Sequence, residues 1–387
     1  MFDEKIRAWL YLTAKSEISR AKLFSLYNHF KSVINIMNAG EKELLSTGIL
    51  SSKEINKILK PDYESLNEYI GILEQNKVKV ITIECSCYPE MLLSISNPPL
   101  LLYCRGKFID LNKHLCIASV GARKPSSYGR RMTYSIVKAL CQSGCVIVSG
   151  MAQGIDAVSH KAALDANCPT VAFIANGVDI IYPHLNAELF KSVLKTGMIV
   201  SEYPLGTMPR NYYFPERNRL VAGVSKGVFV SEAKEKSGTA ITCSLAIEQN
   251  KDIFALPGNA DSPLSAEPNS LIKSGAFAVT EAEDILCHYK ELYSENMFVS
   301  HQKEEKDESL TEEIIIPGSA EETNEKPHIP DNLSSEEKVL FVLKDKNLSI
   351  DEISVFSNLS LEELNMVLLV LEIDGKIKND NGIYYLL

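Results

Sequence analysis

The chain has 387 residues, of which 45% are hydrophobic and 23% charged, with a formal net charge of −10 and a pI of about 5.4. This length predicts two or three domains, and the hydrophobic content excludes a disordered chain. No apolar run approaches the ~20 residues of a membrane-spanning helix, and the first residues do not resemble a secretory signal, so we expect a cytoplasmic protein without a membrane partner.

The nine cysteines form no Cys-x-x-Cys pair and no cluster with histidine at the spacing of a zinc site. This pattern favours reduced thiols in a reducing compartment. Neither a metal ion nor a cofactor is predicted.

Acidic residues are concentrated near the carboxyl end of the chain. Residues 301–332 contain ten acidic and three basic side chains, and residues 333–387 contain ten and five. Residues 117–286 are close to neutral, with 16 basic and 15 acidic side chains. The acidic pI therefore does not exclude a polyanionic partner, provided that the basic side chains of the middle region share one face.

Residues 1–75 show apolar spacings of three and four, broken at Gly40, Gly48 and Pro61, which predict a helical domain with Ser51 as one N-cap. The stretch "KVKVITIEC" follows as a predicted strand. The next segment, "YPEMLLSISNPPLLLYCRG", is interpreted as a proline-punctuated connector.

From Leu115 onward, short apolar strands alternate with helical segments. This alternation predicts a doubly wound α/β domain with a parallel sheet covered on both faces, spanning residues 76–295. The predicted strands are "LCIASVG", "CVIVSG", "PTVAFIANG", "GMIVSEYP", "GVFVSEA" and "DIFALPG", and the predicted helices lie near 127–143, 156–166, 187–196, 215–224, 239–249 and 281–291.

Residues 296–332 are charged and proline-punctuated, and we expect a flexible acidic linker there. The last segment, 333–387, shows three amphipathic helices and then a strand–turn–strand with Asn381-Gly382 as the hairpin turn. This order predicts a small winged-helix domain.

Four of the predicted strands end in loops rich in glycine and small polar residues. Ligands of open α/β sheets bind at such strand ends, where free amides at helix N-termini suit an anion. Each loop alone has an ordinary explanation, such as a strand-to-helix turn, a helix cap at Asp156 or an N-cap at Thr239. The residues singled out in these loops are Gly121, Arg123, Ser149, Gly150, Gly154, Asp156, Gly177, Ser237, Gly238 and Thr239.

A fifth segment, "MPRNYYFPERNRL", alternates basic and aromatic side chains. Guanidinium groups for phosphates and rings for stacked bases are what an unpaired nucleic-acid strand requires. The alternative is that the aromatics seal the sheet while the arginines pair with Glu216 and Glu202. We expect the arginines and free amides of all five segments to line one trough. The residues of this segment that we assign to strand binding are Arg210, Phe214, Arg217, Asn218 and Arg219.

No nucleophile–base pair is recognisable, and His160 is interpreted as a structural histidine. No catalytic residue is therefore assigned. The rival function is a nucleotide-binding enzyme of the lysine-decarboxylase-like phosphoribohydrolase type. That class carries a Pro-Gly-Gly-x-Gly-Thr-x-x-Glu signature, which "SEAKEKSGTAITCSLAIEQ" does not reproduce.

Taken in order, "SVGARKPSSYG", "SGMAQGIDAVSH", "NGVDIIYP", "SEYPLG", "FPERNRLVAG" and "SEAKEKSGTAITCSLAIEQNKDIFALPGN" resemble the DNA-processing protein A (DprA/Smf) family. The resemblance covers nearly all of residues 80–290. It implies an extended Rossmann fold flanked by an N-terminal helical domain of sterile-alpha-motif (SAM) type and a C-terminal winged helix. It also implies single-stranded DNA binding without sequence preference, a homodimer, and loading of the RecA recombinase onto incoming strands during natural transformation, without a chemical step.

Two features depart from the family pattern. Gln153 stands where many relatives carry a lysine, which removes a positive charge from the pocket. The acidic last domain favours a protein-contact role over DNA binding. For the dimer surface we name Leu271, Ile272 and Phe277, with core packing as the alternative.

Overall fold

The computed structural model describes residues 2–293, and residues 334–386 apart from 345–347, 350–352, 354–356, 358, 360 and 381–382. The chain divides into two compact units, Met1–Lys303 and Glu304–Leu387. The predicted linker, residues 296–332, and the predicted Asn381-Gly382 turn lie outside the described residues. In the described part of the chain, no helix has the length and apolar character needed to cross a bilayer.

The first unit begins with six short helices. Ser51 forms the predicted cap, since its hydroxyl accepts from the amide of Glu54 while the Glu54 carboxylate accepts from the Ser51 amide, a reciprocal capping box. The helices are α1 (Glu4–Ala14), α2 (Arg20–Phe30), α3 (Val33–Asn38), α4 (Glu41–Ser46), α5 (Ser52–Leu59) and α6 (Tyr63–Gln75).

A nine-stranded sheet forms the centre of this unit, in the order β1-β2-β6-β5-β4-β3-β7-β8-β9. From β6 to β9 all neighbours are parallel, whereas β1 pairs with β2, and β2 with β6, in antiparallel orientation. The strands are β1 (Lys79–Thr82), β2 (Leu101–Gly106), β3 (Cys116–Val120), β4 (Val146–Ser149), β5 (Thr170–Phe173), β6 (Met198–Ser201), β7 (Gly227–Val230), β8 (Asp252–Ala255) and β9 (Phe277–Ala278).

Seven helices connect and cover these strands, together with 3-10 turns at Glu90–Ser94, Leu111–Lys113 and His184–Asn186. The helices are α7 (Ser127–Gln142), α8 (Ile155–Asp165), α9 (Ala187–Thr196), α10 (Tyr213–Gly223), α11 (Gly238–Glu248), α12 (Ala266–Lys273) and α13 (Glu283–Tyr293). The doubly wound α/β fold predicted from the alternation is confirmed.

Two hydrophobic clusters lie on the two faces of the sheet. Along β4, Val146 and Val148 belong to one cluster and Ile147 to the other, because successive strand residues point to opposite faces. The first cluster also contains Trp9 and Leu12 of α1. The N-terminal helices therefore share a core with the sheet.

Three elements of the first unit are absent from the sequence prediction: β2, α12 and the two-residue edge strand β9. Strand β2 lies inside the segment interpreted as a connector, where Tyr103 pairs with Ser201 of β6. Helix α12 was not predicted, since it contains Pro268. The proline is tolerated because it lies in the first turn, where its missing amide would have no helical partner.

The second unit contains two described helices and a three-stranded antiparallel sheet in the order β10-β12-β11. These elements are α14 (Ser335–Leu343), β10 (Leu348–Ser349), α15 (Leu361–Ile373), β11 (Ile377–Asp380) and β12 (Ile383–Leu386). Leu364 and Leu368 of α15 pack against Val339 and Val342 of α14 in a small core.

All nine cysteines, which lie in the first unit, carry free thiols.

Candidate nucleic-acid interface

A cavity of about 410 Å³ opens where β3, β4 and β7 end. The sheet order places β3 between β4 and β7. After β3 the chain adds β4, β5 and β6 on one side of this strand, and it then crosses over to add β7 and β8 on the other side. Such a topological switch point is where open α/β sheets bind ligands. Ten of the predicted residues line this cavity: Gly121, Arg123, Gly150, Asp156, Phe214, Arg217, Asn218, Ser237, Gly238 and Thr239.

Arg123 supplies an accessible cation in this cavity. Its side chain is exposed, and its guanidinium carbon lies 5.8 Å from the centroid of the Phe214 ring. The Tyr182 ring lies 5.7 Å from that of Phe214 on the same wall. A phosphate could therefore meet Arg123 next to two rings that could stack on bases.

The start of α11 supplies open amides. Ser237 is the N-cap, accepting from the amide of Ala240 at 3.4 Å, so the alternative of Thr239 as the N-cap is wrong. The amides of Gly238 and Thr239 have no acceptor among the described residues. Unpaired amides at the positive end of a helix dipole favour an anion.

Arg217, by contrast, is directed inward. The residue is 5% exposed, and its guanidinium donates to the carbonyl oxygens of Gly150 and Phe173 and, through Nε at 3.1 Å, to Asn218. Burial lowers the pKa of Arg217, while the nearby Asp156 carboxylate opposes that shift. This arginine therefore links the ends of β4 and β5 beneath the cavity.

The buried Asp156 carboxylate accepts from the amides of Gly150 at 3.1 Å and Ala152 at 3.2 Å. Burial raises its pKa, and Arg217 opposes the rise. The expectation that the amides of this loop are open to an anion is therefore wrong for these two groups. The capping alternative for Asp156 is also wrong, because Gly154 is the N-cap of α8.

A second carboxylate occupies the start of α7 in the same way. Glu232 is 3% exposed and accepts from the amide of Ser126 at 2.7 Å and from its hydroxyl at 2.5 Å. The expected open amides at this helix start are thus already paired at Ser126. The start of α7 does not line this cavity, whereas Ser237, Gly238 and Thr239 at the start of α11 do.

Two glycines are required by close approach around this cavity. Gly154 has φ of +81°, and a Cβ there would lie 2.2 Å from the carbonyl oxygen of Ala122. A Cβ on Gly150 would lie 2.6 Å from the Arg217 guanidinium. Glycine therefore allows the loops after β3 and β4 to pack together over the buried arginine.

Five predicted residues do not line the cavity: Ser149, Gly154, Gly177, Arg210 and Arg219. Ser149 is buried and donates to the Ser119 carbonyl at 2.7 Å. Gly177 is buried, and its amide donates to the Thr207 carbonyl at 2.9 Å. Arg210 is exposed, and its Nη1 donates to the Tyr212 hydroxyl at 3.0 Å.

Arg219 forms an ion pair with Glu202, at 2.5 Å, and donates to the Asn97 carbonyl at 2.6 Å. The alternative in which an arginine of this segment pairs with Glu202 is therefore confirmed for Arg219. Arg20 of α2 reaches the same carboxylate at 3.1 Å, with its guanidinium 4.5 Å from the Tyr203 ring centroid. This cluster fixes α10 to the N-terminal helices, and none of its residues lines the cavity.

Several lining residues were not predicted. Tyr182 belongs to "ANGVDIIYP", the segment in which the sequence indicated Gly177 and Asp179 but not the tyrosine. Ile241 and Thr242 lie one turn into α11, where only helical periodicity could have indicated them.

The residues named for a dimer surface have different environments. Leu271 is 9% exposed and belongs to the core, and Ile272 packs against it. Phe277 is 44% exposed on the edge strand β9 and stacks on Phe254 with centroids 5.4 Å apart. For Leu271 the structure agrees with core packing, and pairing through these residues stays a prediction.

His160 is buried, and its Nδ1 lies 2.8 Å from the hydroxyl of Thr170. That hydroxyl donates to the Ile147 carbonyl, so Nδ1 must carry the proton. Burial lowers the pKa of His160 to about 3. The histidine is therefore neutral and structural, as predicted.

Comparisons with known proteins agree on one family. The family described as DNA recombination-mediator protein A matches residues 79–290, and the DprA winged helix domain matches residues 324–382. The chain is 39% identical to DNA processing protein DprA of Bacillus subtilis, over 61% of this chain and 78% of the relative. It is 38% identical to Protein Smf of Escherichia coli, over 68% of this chain and 71% of the relative.

Solved structures agree as well. The X-ray structure of DNA processing protein A from Streptococcus pneumoniae has a TM-score of 0.65 and 31% identity, covering 73% of this chain and 97% of that one. A structure reported for its single-stranded DNA binding mode, that of DNA processing protein A from Helicobacter pylori, has a TM-score of 0.51 and 30% identity, covering 56% and 97%. With a family match over more than half of its length and relatives of 30% identity or more, this chain belongs to the DNA recombination-mediator protein A (DprA/Smf) family.

Proposed function

We propose that the protein binds single-stranded DNA in the cavity at the ends of β3, β4 and β7 and acts as a recombination mediator. The observation that carries this is the position of the exposed Arg123 guanidinium beside the Phe214 ring, in the cavity that the open start of α11 also lines. The family and the binding mode described for the relative from Helicobacter pylori support the same ligand.

The geometry suits an unpaired strand. Arg123 and the amides of Gly238 and Thr239 would hold backbone phosphates, since these groups are cationic or unpaired donors. The rings of Phe214 and Tyr182 lie on the same wall, and stacking on them would require bases that are not enclosed in a duplex. Arg217 and Asp156 would act beneath the strand by fixing the cavity floor.

Substitution of Arg123 tests this proposal. Arg123→Ala is expected to weaken binding of any single strand by about 1–3 kcal/mol and to flatten the salt dependence by about one phosphate contact. Fluorescence anisotropy with a thymidine strand and a mixed-sequence strand at two salt concentrations measures both effects. Lys195→Ala is the control. This exposed lysine lies in the last turn of α9, just before β6 begins, and therefore near the amino ends of the parallel strands, whereas the cavity lies at their carboxyl ends. Equal affinities for wild type and Arg123→Ala would refute the assignment.

We also propose that the protein acts as a homodimer and loads RecA recombinase onto incoming strands during natural transformation, without a catalytic step of its own. Family membership supports this proposal. The rate at which RecA covers a strand, with and without the protein, is the test. Release of base from a nucleoside monophosphate would instead favour the phosphoribohydrolase alternative, which the relatives do not support.

For the winged helix we propose a protein-contact role. Its charge is acidic, and Met366 and Leu369 of α15 are 71% and 60% exposed. A groove-reading helix would instead present basic side chains to phosphates. Deletion of residues 334–387 is therefore expected to leave the affinity for a single strand unchanged in the anisotropy assay, and a weakened affinity would contradict this role.

A further inference from the structure

A smaller cavity of about 100 Å³ adjoins the main one. The two cavities share a wall, so a ligand could extend from one into the other. The shared lining residues are Arg123, Gly150, Ala152, Tyr182 and Phe214.

The chemistry of the two cavities differs. The main cavity contains Arg123 and the open start of α11, whereas the side cavity adds no second cation. Its additional polar side chains are the amides of Gln153 and Asn176. Arg123 is thus the one cation on the lining of the side cavity, and the part of this cavity beyond the shared wall carries neutral side chains, which suits a neutral group.

Gln153 is the side chain available to a ligand here. Asn176 is 1% exposed, and its amide nitrogen already donates to the carbonyls of Gly177 at 3.0 Å and Ile180 at 2.7 Å. Gln153 is half-buried, and its amide makes no hydrogen bond to any residue that the structure describes. It therefore offers one donor group and one acceptor, both free, in a cavity bordered by two rings.

This combination matches a nucleobase. A base presents neighbouring donor and acceptor atoms on its edges, which a glutamine amide can read, and a flat face that stacks on aromatic side chains. The rings of Tyr182 and Phe214 stand 5.7 Å apart on the wall between the two cavities. A nucleotide with its phosphate near Arg123 would thus direct its base toward Gln153.

We propose that the side cavity is a nucleobase subsite in which Gln153 reads the edge of one unpaired base, so that the affinity for a strand depends on its base. This rests on the proposed binding of single-stranded DNA in the main cavity. It departs from the expectation of binding without sequence preference.

The experiment measures the affinity of the full-length protein for dA, dC and dT homopolymers of equal length, and for an abasic strand with the same backbone, by anisotropy at two salt concentrations. Wild type is expected to distinguish the homopolymers by about fivefold, as one net hydrogen bond allows, and to bind the abasic strand most weakly. Gln153→Ala should bring the homopolymer affinities within about twofold and leave the salt slope unchanged.

Gln153→Lys should also remove the base preference, but it should strengthen binding to every strand and steepen the salt slope by about 0.7. Gln142→Lys is the matched control. This exposed residue is the last of α7, just before β4 begins, and so lies near the amino ends of the parallel strands. Its replacement adds the same charge away from the cavity. It should change neither preference nor slope.

Two outcomes would overturn the subsite. One is equal binding of the three homopolymers and the abasic strand by wild type. The other is a base preference that survives in Gln153→Ala. If wild type binds no strand at all, the proposed function itself fails, and this result is separable because it does not depend on Gln153.

Discussion

Replacement of Arg217 by methionine is expected to destabilise the first unit rather than to remove a phosphate contact. The guanidinium is buried and donates to the carbonyls of Gly150 and Phe173. Hydrogen bonds from a charged donor contribute about 1.5–3 kcal/mol each, and the Asp156 carboxylate would lose a buried positive neighbour. Methionine fills much of the same space, so the net loss is expected to be about 3–5 kcal/mol.

Urea unfolding followed by Trp9 fluorescence measures this loss, because Trp9 is the single tryptophan and is fully buried in the first unit. The midpoint is expected to fall by about 1–2 M. In buffer where the variant remains folded, its salt slope for strand binding should equal that of wild type, unlike the slope of Arg123→Ala. An unchanged midpoint with a flattened slope would show that Arg217 binds phosphate and would refute the reasoning.

Three further changes test other parts of the structure. Arg20→Met removes the half-exposed ion pair to Glu202, and we expect a loss of up to about 1 kcal/mol in urea unfolding and weaker strand binding at an unchanged salt slope, since α10 would shift. His160→Asn keeps a donor toward Thr170 without a titrating group. Because burial lowers the pKa of His160 from 6.5 to about 3, its stabilising contribution is present above pH 6.5 and lost as the pH falls toward 3, and the variant should lose that dependence when unfolding is compared at pH 7 and pH 5. Gly154→Ala would force a Cβ to within 2.2 Å of a carbonyl oxygen at a φ of +81°, so we expect a loss of at least about 2 kcal/mol by the same assay.

The alternation of strands and helices could be predicted because it depends on local features. Strands such as "CVIVSG" are short continuous apolar runs, and the helices between them begin and end near small or polar residues. Strand β2 was missed since Pro98-Pro99 precedes it, and its pairing with β6, almost one hundred residues later, leaves no local signal. Helix α12 was missed because Pro268 argues against a helix unless its start is known.

The composition of the cavity could also be predicted, whereas the role of each arginine could not. Arg123, Arg217 and Arg219 look equivalent in the sequence, but one is exposed, one is bound to backbone carbonyls and one is paired with Glu202. These outcomes depend on partners between 17 and 67 positions away. Periodicity and spacing do not encode such contacts. The sequence could therefore indicate which arginines belong to this region, but not which of them faces the cavity and which is paired within the protein.

The pairing of charged side chains within the protein explains how a chain with a net charge of −10 could present a site for a polyanion. The Asp156 and Glu232 carboxylates turn inward and accept from amides, and Glu202 neutralises Arg219. Arg123 and the start of α11 are left facing the cavity without a carboxylate partner among the described residues. Since salt screens charges beyond ~8–10 Å, a strand in the cavity would respond chiefly to the groups that line it. Local pairing, rather than net charge, therefore determines which ligand this surface can bind.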